Sequence, residues 1–350
     1  MPDNSALPTS TAPSSPLVSI VIPVYNQKLQ YLRDALDSAL AQTYTNIEVV
    51  VSDNHSTNEV PTYLASVNDS RLRVRKPEVF VPMVQNFRFA ADQATGDYIV
   101  FLCSDDYLYP DFVQSMVSSL SDRHNLSFAY AELECVEHYD LEKIRFFYHR
   151  KPTGYRSAQE SMVELLKARP LLGFFPSLMM RRSAYEQIRH LFSGEIHFAF
   201  DVATVFSLHA LGDVFYLDKP LGKVRYWTAI DGKTSDDRFL EFISDSSKLC
   251  EIVEQSPALK PDDEIVKEWR LFQSRRWLLV ALFWSIRGNI SVEKTIRGVN
   301  QVQQQIARQP FWSSALVWSL RHPQSYVLRP AFRAVFQTLW SLQSLIKKPM

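Results

Sequence analysis

Asp105 and Asp106 stand side by side just past an apolar run at residues 98–103. Two adjacent carboxylates are hard oxygen donors of the kind that hold a divalent cation, and such an ion keeps phosphate oxygens among its ligands. The same pair also reads as a polar turn ahead of the helix that Pro110 opens, since aspartate favours a helix's positive end. Asp53 lies in a second polar segment, Ser52-Asp53-Asn54-His55-Ser56-Thr57. Its carboxylate suits a nucleobase or a sugar, and equally an Asx turn. Asp201 opens an apolar helix, where N-capping accounts for it as well as service as a general base does.

Other chemistries find little in the sequence. Eight histidines are scattered without a His-Glu-x-x-His or any close-spaced cluster, so imidazole-based metal binding is not expected. No Gly-x-Ser-x-Gly supports a serine hydrolase. Cys103, at the end of its apolar run, reads as a small buried residue and not a nucleophile. The first of nine glycines is Gly96, so no glycine-rich phosphate loop follows an N-terminal strand. The one Gly-Lys-Thr, at residues 232–234, has Trp227 where a P-loop needs its first glycine.

The elements that position these carboxylates follow from the apolar pattern. Residues 18–24 and 47–51 are β-branched runs that read as buried strands, and residues 98–103 form another. Between the first two, Leu29, Leu32, Leu36 and Leu40 recur at helical spacing. A short strand near residues 72–74, a helix over 86–94 and a helix after Pro110 continue the alternation. Strand, helix, strand with buried strands predicts a parallel sheet covered on both faces. Ligands of such sheets bind beyond the carboxyl ends of the strands, which brings residues 23–26, 52–54 and 104–106 to one crevice. Further strands are expected near 126–130, 144–148, 177–181, 214–217 and 223–226, with helices over 157–167 and from Asp201 to Gly212. Helical patterns dominate from residue 236.

The whole constellation resembles the family 2 glycosyltransferases with the GT-A fold. The resemblance rests on Val18-Ser19-Ile20-Val21-Ile22-Pro23-Val24-Tyr25-Asn26, on Gln42-Thr43-Tyr44, on residues 47–57, on Asn86, Ala90, Ala94, Gly96, Asp97 and Tyr98, and on Phe101-Leu102-Cys103-Ser104-Asp105-Asp106. It covers residues 17–235 and is strongest up to Pro110. It implies an α/β fold: a GT-A, Rossmann-like, mixed and mainly parallel sheet flanked by helices. It implies an inverting enzyme that moves a sugar from a nucleotide-sugar donor, a UDP-sugar favoured, to a glycan or lipid-linked acceptor in polysaccharide or glycoconjugate synthesis.

Carried over by position, Pro23 and Tyr25 line the nucleoside pocket, Asp53 contacts the base, and Asn86 joins them as a nucleotide-sugar contact. Asp105 serves the ribose or metal region, and Asp106 is the principal ligand of Mn²⁺ or Mg²⁺. Asp201 is the general base, and residues 173–177 border the acceptor. Four positions depart from the family pattern. Ser52-Asp53 replaces an Asp-Asp pair, Cys103 replaces the first Asp of the longer acidic motif, and Phe200 precedes Asp201 in place of Glu. Val224-Arg225-Tyr226-Trp227 lacks the His of a late Tyr-Arg-x-His element. These departures keep a second reading open, a GT-A-like protein that binds nucleotide-sugar without transfer.

Charge and composition complete the outline. The chain of 350 residues carries 38 basic and 38 acidic residues, and this balance disfavours a dedicated nucleic-acid binder. The neutrality is a sum of unlike parts. Residues 1–293 hold 30 basic and 38 acidic residues, while residues 294–350 hold eight basic and no acidic ones. Residues 331–346 repeat apolar side chains at helical spacing, and such a basic amphipathic stretch suits an anionic membrane surface or packing on the catalytic domain. The expected organisation is a disordered tail at 1–16, a GT-A domain at 17–235 and a helical region at 236–350. Three widely separated cysteines suit a reducing compartment. The chain is therefore expected in the cytoplasm, with peripheral membrane contact as the option its tail opens.

Overall fold

The computed structural model describes residues 15–121, 123, 125–137, 140–147, 152–168, 175–226, 236–260, 263–286 and 290–305. Its frame is a ten-stranded mixed sheet. The first strands are β1 (Val18–Val24), β2 (Ile47–Asp53), β3 (Leu72–Arg75), β4 (Tyr98–Phe101) and β5 (Tyr107–Leu108). They are followed by β6 (Leu126–Glu137), β7 (Asp140–Phe147), β8 (Gly154–Arg156), β9 (Leu178–Arg181) and β10 (Asp213–Tyr226). The order along the main path is β3-β2-β1-β4-β9-β6-β10-β5, with β7 added to β6 and β8 to β10. Four of the seven neighbours on that path are parallel, including all those among β1–β4.

Helices α1 (Leu29–Leu40), α2 (Val60–Ser66), α3 (Met83–Asp92) and α4 (Phe112–Leu120) join the early strands. Later come α5 (Ala158–Ala168), α6 (Arg182–Ile188), α7 (Phe200–Leu211), α8 (Asp236–Glu254), α9 (Glu264–Ile286) and α10 (Val292–Gln305). Buried side chains alternate between the two faces of the sheet, as strand geometry requires. Ile20, Ile22, Val49, Val51 and Val100 join one core with α1 and α4. Val21, Val50, Ile99 and Phe101 join the other with α3, α5 and α7. The second core continues without a break into α8, α9 and α10 through Phe239, Ile243, Trp269, Trp277, Val299 and Val302.

The predicted alternation of strand and helix matches the observed order up to α4 except for α2 and β5, which the pattern did not include. Beyond it, the two strands expected at 214–217 and 223–226 are one strand, β10. Its register against β6 shifts on both sides of Pro220, because proline has no N–H to give the ladder. That irregularity breaks the apolar pattern without ending the strand. β5 and β8, of two and three residues, are too short to show a period.

Register explains the convergence at one sheet edge. Val24 lies opposite Asp53, and the N–H of Leu102, just past β4, donates to the Val21 carbonyl at 3.0 Å. β1, β2 and β4 therefore end together. Gly222 lets β10 cross close to β5: a Cβ there would meet the Tyr107 carbonyl at 2.7 Å. The crossing delivers the end of β10 to the same edge.

Candidate functional site

Three strand-end loops are knitted to one another by side chains. Asn26, in the left-handed region at φ 46°, accepts the Thr57 N–H at 2.7 Å, and its own N–H donates to Ser56 Oγ at 2.9 Å. Gln27 Nε2 donates to Ser104 Oγ at 3.1 Å, which ties the loop after β1 to the loop after β4. Asn54 holds Val81 from both sides, donating to its carbonyl at 2.7 Å and accepting its N–H at 3.0 Å. His55, at φ 62°, lies 3.0 Å from the Pro77 carbonyl through Nε2. The segment between β3 and α3 is thereby pinned beside Tyr25. The Tyr25 ring meets Phe80 edge-to-face at 4.9 Å, and both are about half exposed.

Each residue singled out in the sequence has a definite place here. Pro23 is the penultimate residue of β1, opposite Ser52. Asp53 ends β2 nearly buried and accepts the Ser56 N–H on Oδ1 at 3.0 Å, closing a turn. Asn86 is buried at the start of α3 and exchanges hydrogen bonds with Ser52, accepting its hydroxyl at 2.5 Å. It braces the end of β2 from beneath. Phe175 and Pro176 are buried in a short 3-10 turn, Phe175 within the aromatic core. Residues 173 and 174, and Trp227, lie outside the described residues.

Asp106 is 4% exposed. Its N–H donates to the Cys103 carbonyl, and its Oδ1 accepts the backbone N–H of Arg225 at 3.0 Å. Burial, and then the negative charge of Asp105, push its carboxyl well above the usual range. The Arg225 N–H, the Cys103 thiol and the Arg225 charge offset this only in part. Cys103 is also held as a neutral thiol, raised first by burial and then by the charges of Asp106, Asp105 and Asp201. Asp201, in the first turn of α7, is therefore within electrostatic reach of Cys103, which adjoins the acidic pair. Asp201, distant in sequence, thus joins Cys103, Asp105 and Asp106 electrostatically, and the thiol among them is unsuited to nucleophilic attack.

Arg225 is the residue that sequence reasoning undervalued. It is buried, and its guanidinium donates to the Asp105 carbonyl and, at 2.5 Å, to Asp34 of α1. The plane lies over the Tyr31 ring at 4.4 Å. The sequence offered its place in the late Tyr-Arg element, but no pattern linked it to Asp34, 191 residues away. Gln42-Thr43-Tyr44, quoted for resemblance, is scaffolding. Gln42 bonds the Tyr109 carbonyl and the Val113 N–H, Thr43 bonds Pro110, and Tyr44 bonds Pro16.

The departure at Phe200 has a structural reason. Its ring packs against Phe87 at 5.1 Å and Phe175 at 5.3 Å. An acidic residue at that position would be buried without a partner.

Comparison with known proteins adds four findings. Residues 19–189 match the family model described as glycosyl transferase family 2. An uncharacterised glycosyltransferase of Rickettsia typhi is 28% identical over 229 residues, covering 65% of this chain and 70% of that one. Over a shorter stretch of 91 residues, the Escherichia coli UDP-Glc:alpha-D-GlcNAc-diphosphoundecaprenol beta-1,3-glucosyltransferase WfaP is 38% identical, covering 26% of this chain and 36% of that one. The fold is shared with Staphylococcus aureus TarS 1–349 in complex with UDP-GlcNAc, at a TM-score of 0.61 and 18% identity over 89% of this chain and 85% of that one. The family match ends at Arg189, before Asp201 and Arg225, so it does not bear on either residue. From the parallel strands that begin at Val18 to the helix that closes at Ile188, residues 19–189 form a glycosyl transferase family 2 domain.

Proposed function

We propose that the protein transfers a sugar from a nucleotide-sugar donor to a hydroxyl of a glycan or lipid-linked acceptor, with inversion at the anomeric carbon. The observation that carries this reading is the buried Asp106 at an edge where three strand-end loops and the start of α7 converge. Tyr25 and Asp53 hold the nucleoside on one side of that edge, and Asp105 and Asp106 face the diphosphate. The E. coli relative, by its name, takes UDP-Glc and a diphosphoundecaprenol acceptor. This supports a UDP-sugar donor and a lipid-linked acceptor here.

The acidic pair fits a divalent cation. Both residues offer hard oxygens, and the buried Asp106 anion is costly unless positive charge shares its site. Among the described residues no third His, Cys, Asp or Glu completes an all-protein cage, which suits Mg²⁺ or Mn²⁺ taking its remaining ligands from phosphates and water. Held by Asp106 and Asp105, the ion would neutralise charge on the diphosphate leaving group. Asp201 takes the proton of the acceptor hydroxyl. The acceptor oxygen forms its bond to the anomeric carbon as the bond to the diphosphate oxygen breaks, and the electron pair leaves with the nucleoside diphosphate. A base so placed contributes about 10²–10⁴-fold.

The test is a panel of nucleotide-sugars with and without Mn²⁺, scored by nucleotide release and by protection against unfolding. Asp106→Asn should weaken metal-dependent donor binding, and Asp201→Asn should lower turnover at least ~100-fold while sparing binding. Wild-type turnover in both variants would overturn the assignment. Metal-dependent binding with no turnover of any donor would favour the binding-protein reading.

The tail supports a place at the cytoplasmic face of a membrane. Residues 306–350 carry six basic and no acidic residues, and α10 ahead of them is packed on the core through Val299 and Val302. No helix among the described residues is long and apolar enough to cross a membrane.

A further inference from the structure

α8 runs beside the segment that leads into α7, and one face of α8 grips it. Asp245 is 1% exposed, and its Oδ2 accepts three consecutive backbone N–H groups. These belong to His197 at 3.1 Å, Phe198 at 2.7 Å and Ala199 at 3.1 Å. One turn earlier on the same helix, the Phe242 ring lies 4.6 Å from the Phe198 ring. One turn later, Lys248 Nζ donates to the Glu195 carbonyl. Residues 242, 245 and 248 share a helix face by their spacing. On the opposite side, Phe200 is locked in the aromatic core. The next residue is Asp201.

The start of α7 needs this help. A helix leaves its first N–H groups without intrahelical partners. Here the N-cap residue is Ala199, which has no side chain to accept a bond. Gly194, at φ 97°, turns the chain just before the gripped segment. Asp245, 46 residues after Ala199, takes the N–H of the N-cap residue and of the two residues before it, while Asp201 Oδ1 takes the Val202 N–H at 2.7 Å. A buried carboxylate is tolerable because three donors satisfy it. The position of Asp201 is therefore set by the core through Phe200 and by α8 through the backbone of 197–199.

We infer that Asp245 is a positioning residue for sugar transfer, holding the Asp201 carboxylate in place through the amides of residues 197–199, so that α8 belongs to the catalytic unit. The inference rests on the reading of Asp201 as the base. Misplacing a catalytic group by about 1 Å costs on the order of 10²-fold in rate.

The experiment uses the full chain and the donor of highest turnover in the nucleotide-sugar panel, with Mn²⁺. kcat, donor KM and thermal midpoint are measured for Asp245→Asn, Asp245→Ala, Lys248→Met and Asp201→Asn, and for Asp245→Asn combined with Asp201→Asn. Asp245→Asn should lower kcat about 10-fold or more and Asp245→Ala further, with donor KM unchanged within about twofold. In the Asp201→Asn background, Asp245→Asn should cost less than about twofold more, since its effect passes through Asp201. Lys248→Met should lower kcat about threefold with KM unchanged.

Wild-type kcat in folded Asp245 variants, or an equal penalty with and without Asp201, would overturn the inference and leave the base assignment standing. Wild-type turnover in Asp201→Asn would remove the base assignment itself, and the inference with it. If both Asp245 variants fail to fold, Lys248→Met decides: a wild-type kcat there would reduce the contact to a structural one and overturn the positioning role.

Discussion

The backbone N–H of Arg225 donates to Oδ1 of Asp106 at 3.0 Å, across 119 residues of sequence. The same arginine places its guanidinium on the Asp105 carbonyl and on Asp34. The last turn of the sheet thus fastens the acidic loop from outside while α1 fastens the arginine. A loop that holds two neighbouring carboxylates needs such fastening, because like charges at close range repel.

Arg225→Met should therefore act on both stability and binding. The backbone bond to Asp106 survives, but the bridge to Asp34 and the cover over Tyr31 are lost. A destabilisation of about 1–3 kcal/mol is expected in urea unfolding, with donor affinity weakened several-fold. Arg225→Lys should recover only part of either, since a single ammonium does not reproduce a planar fork. Lysine at full wild-type affinity would contradict the bridging role.

The aromatic corner at the mouth of the site is built for contact, not for stability. Tyr25 and Phe80 are 50% and 55% exposed, so Tyr25→Ala and Phe80→Ala should leave the thermal midpoint within about 1 °C. Each should weaken nucleotide binding roughly 3–10-fold, in line with the worth of one aromatic contact. Calorimetric titration with UDP would read this directly.

Glu48 gives the fold a pH dependence that can be signed. Burial alone pushes its carboxyl up, yet donors from Thr95, Ser19 and Arg73 outweigh burial and hold it below its ordinary 4.5. A carboxyl whose folded value is lowered contributes stability above its unfolded value and loses it as pH falls through the folded one. Glu48→Gln should therefore cost about 1–3 kcal/mol at pH 7 and progressively less below pH 4. Urea midpoints measured at pH 7 and pH 3 should show the variant and wild type converging in acid.

Removing residues 306–350 should abolish partition onto anionic vesicles. Six basic residues near such a surface are worth about 1 kcal/mol each before screening. The cut after Gln305 keeps α10 and its buried Val302 intact, so nucleotide release should be unchanged. Equal vesicle binding with and without the tail would rule out membrane docking through it.

The parallel half of the fold was legible because each buried strand there is a continuous β-branched run, as at Val18–Val24 and Ile47–Asp53. Asp53, Asp105 and Asp106 were legible as strand-end residues because they close such runs or follow them, and register does the rest. Asn86 shows the limit: the sequence placed it near the donor, but only coordinates reveal that it braces Ser52 from within. Asp34 and Asp245 were not legible at all as partners of the site, and Arg225 was legible only by its place in the late Tyr-Arg element. Their roles depend on contacts across 46 to 191 residues, and a polar residue in an amphipathic helix looks the same whether it faces water or caps a neighbour.

The core that runs unbroken from Val21 and Phe101 to Trp269 and Val302 has a consequence for transplantation. Phe206 of α7 packs its ring 5.2 Å from Trp269 of α9, so a cut at residue 235 would part side chains that pack on one another. A chimera that borrows residues 17–235 for a foreign tail would expose the tryptophan side of its own core and aggregate. A portable unit must therefore carry α8, α9 and α10 together with residues 17–235.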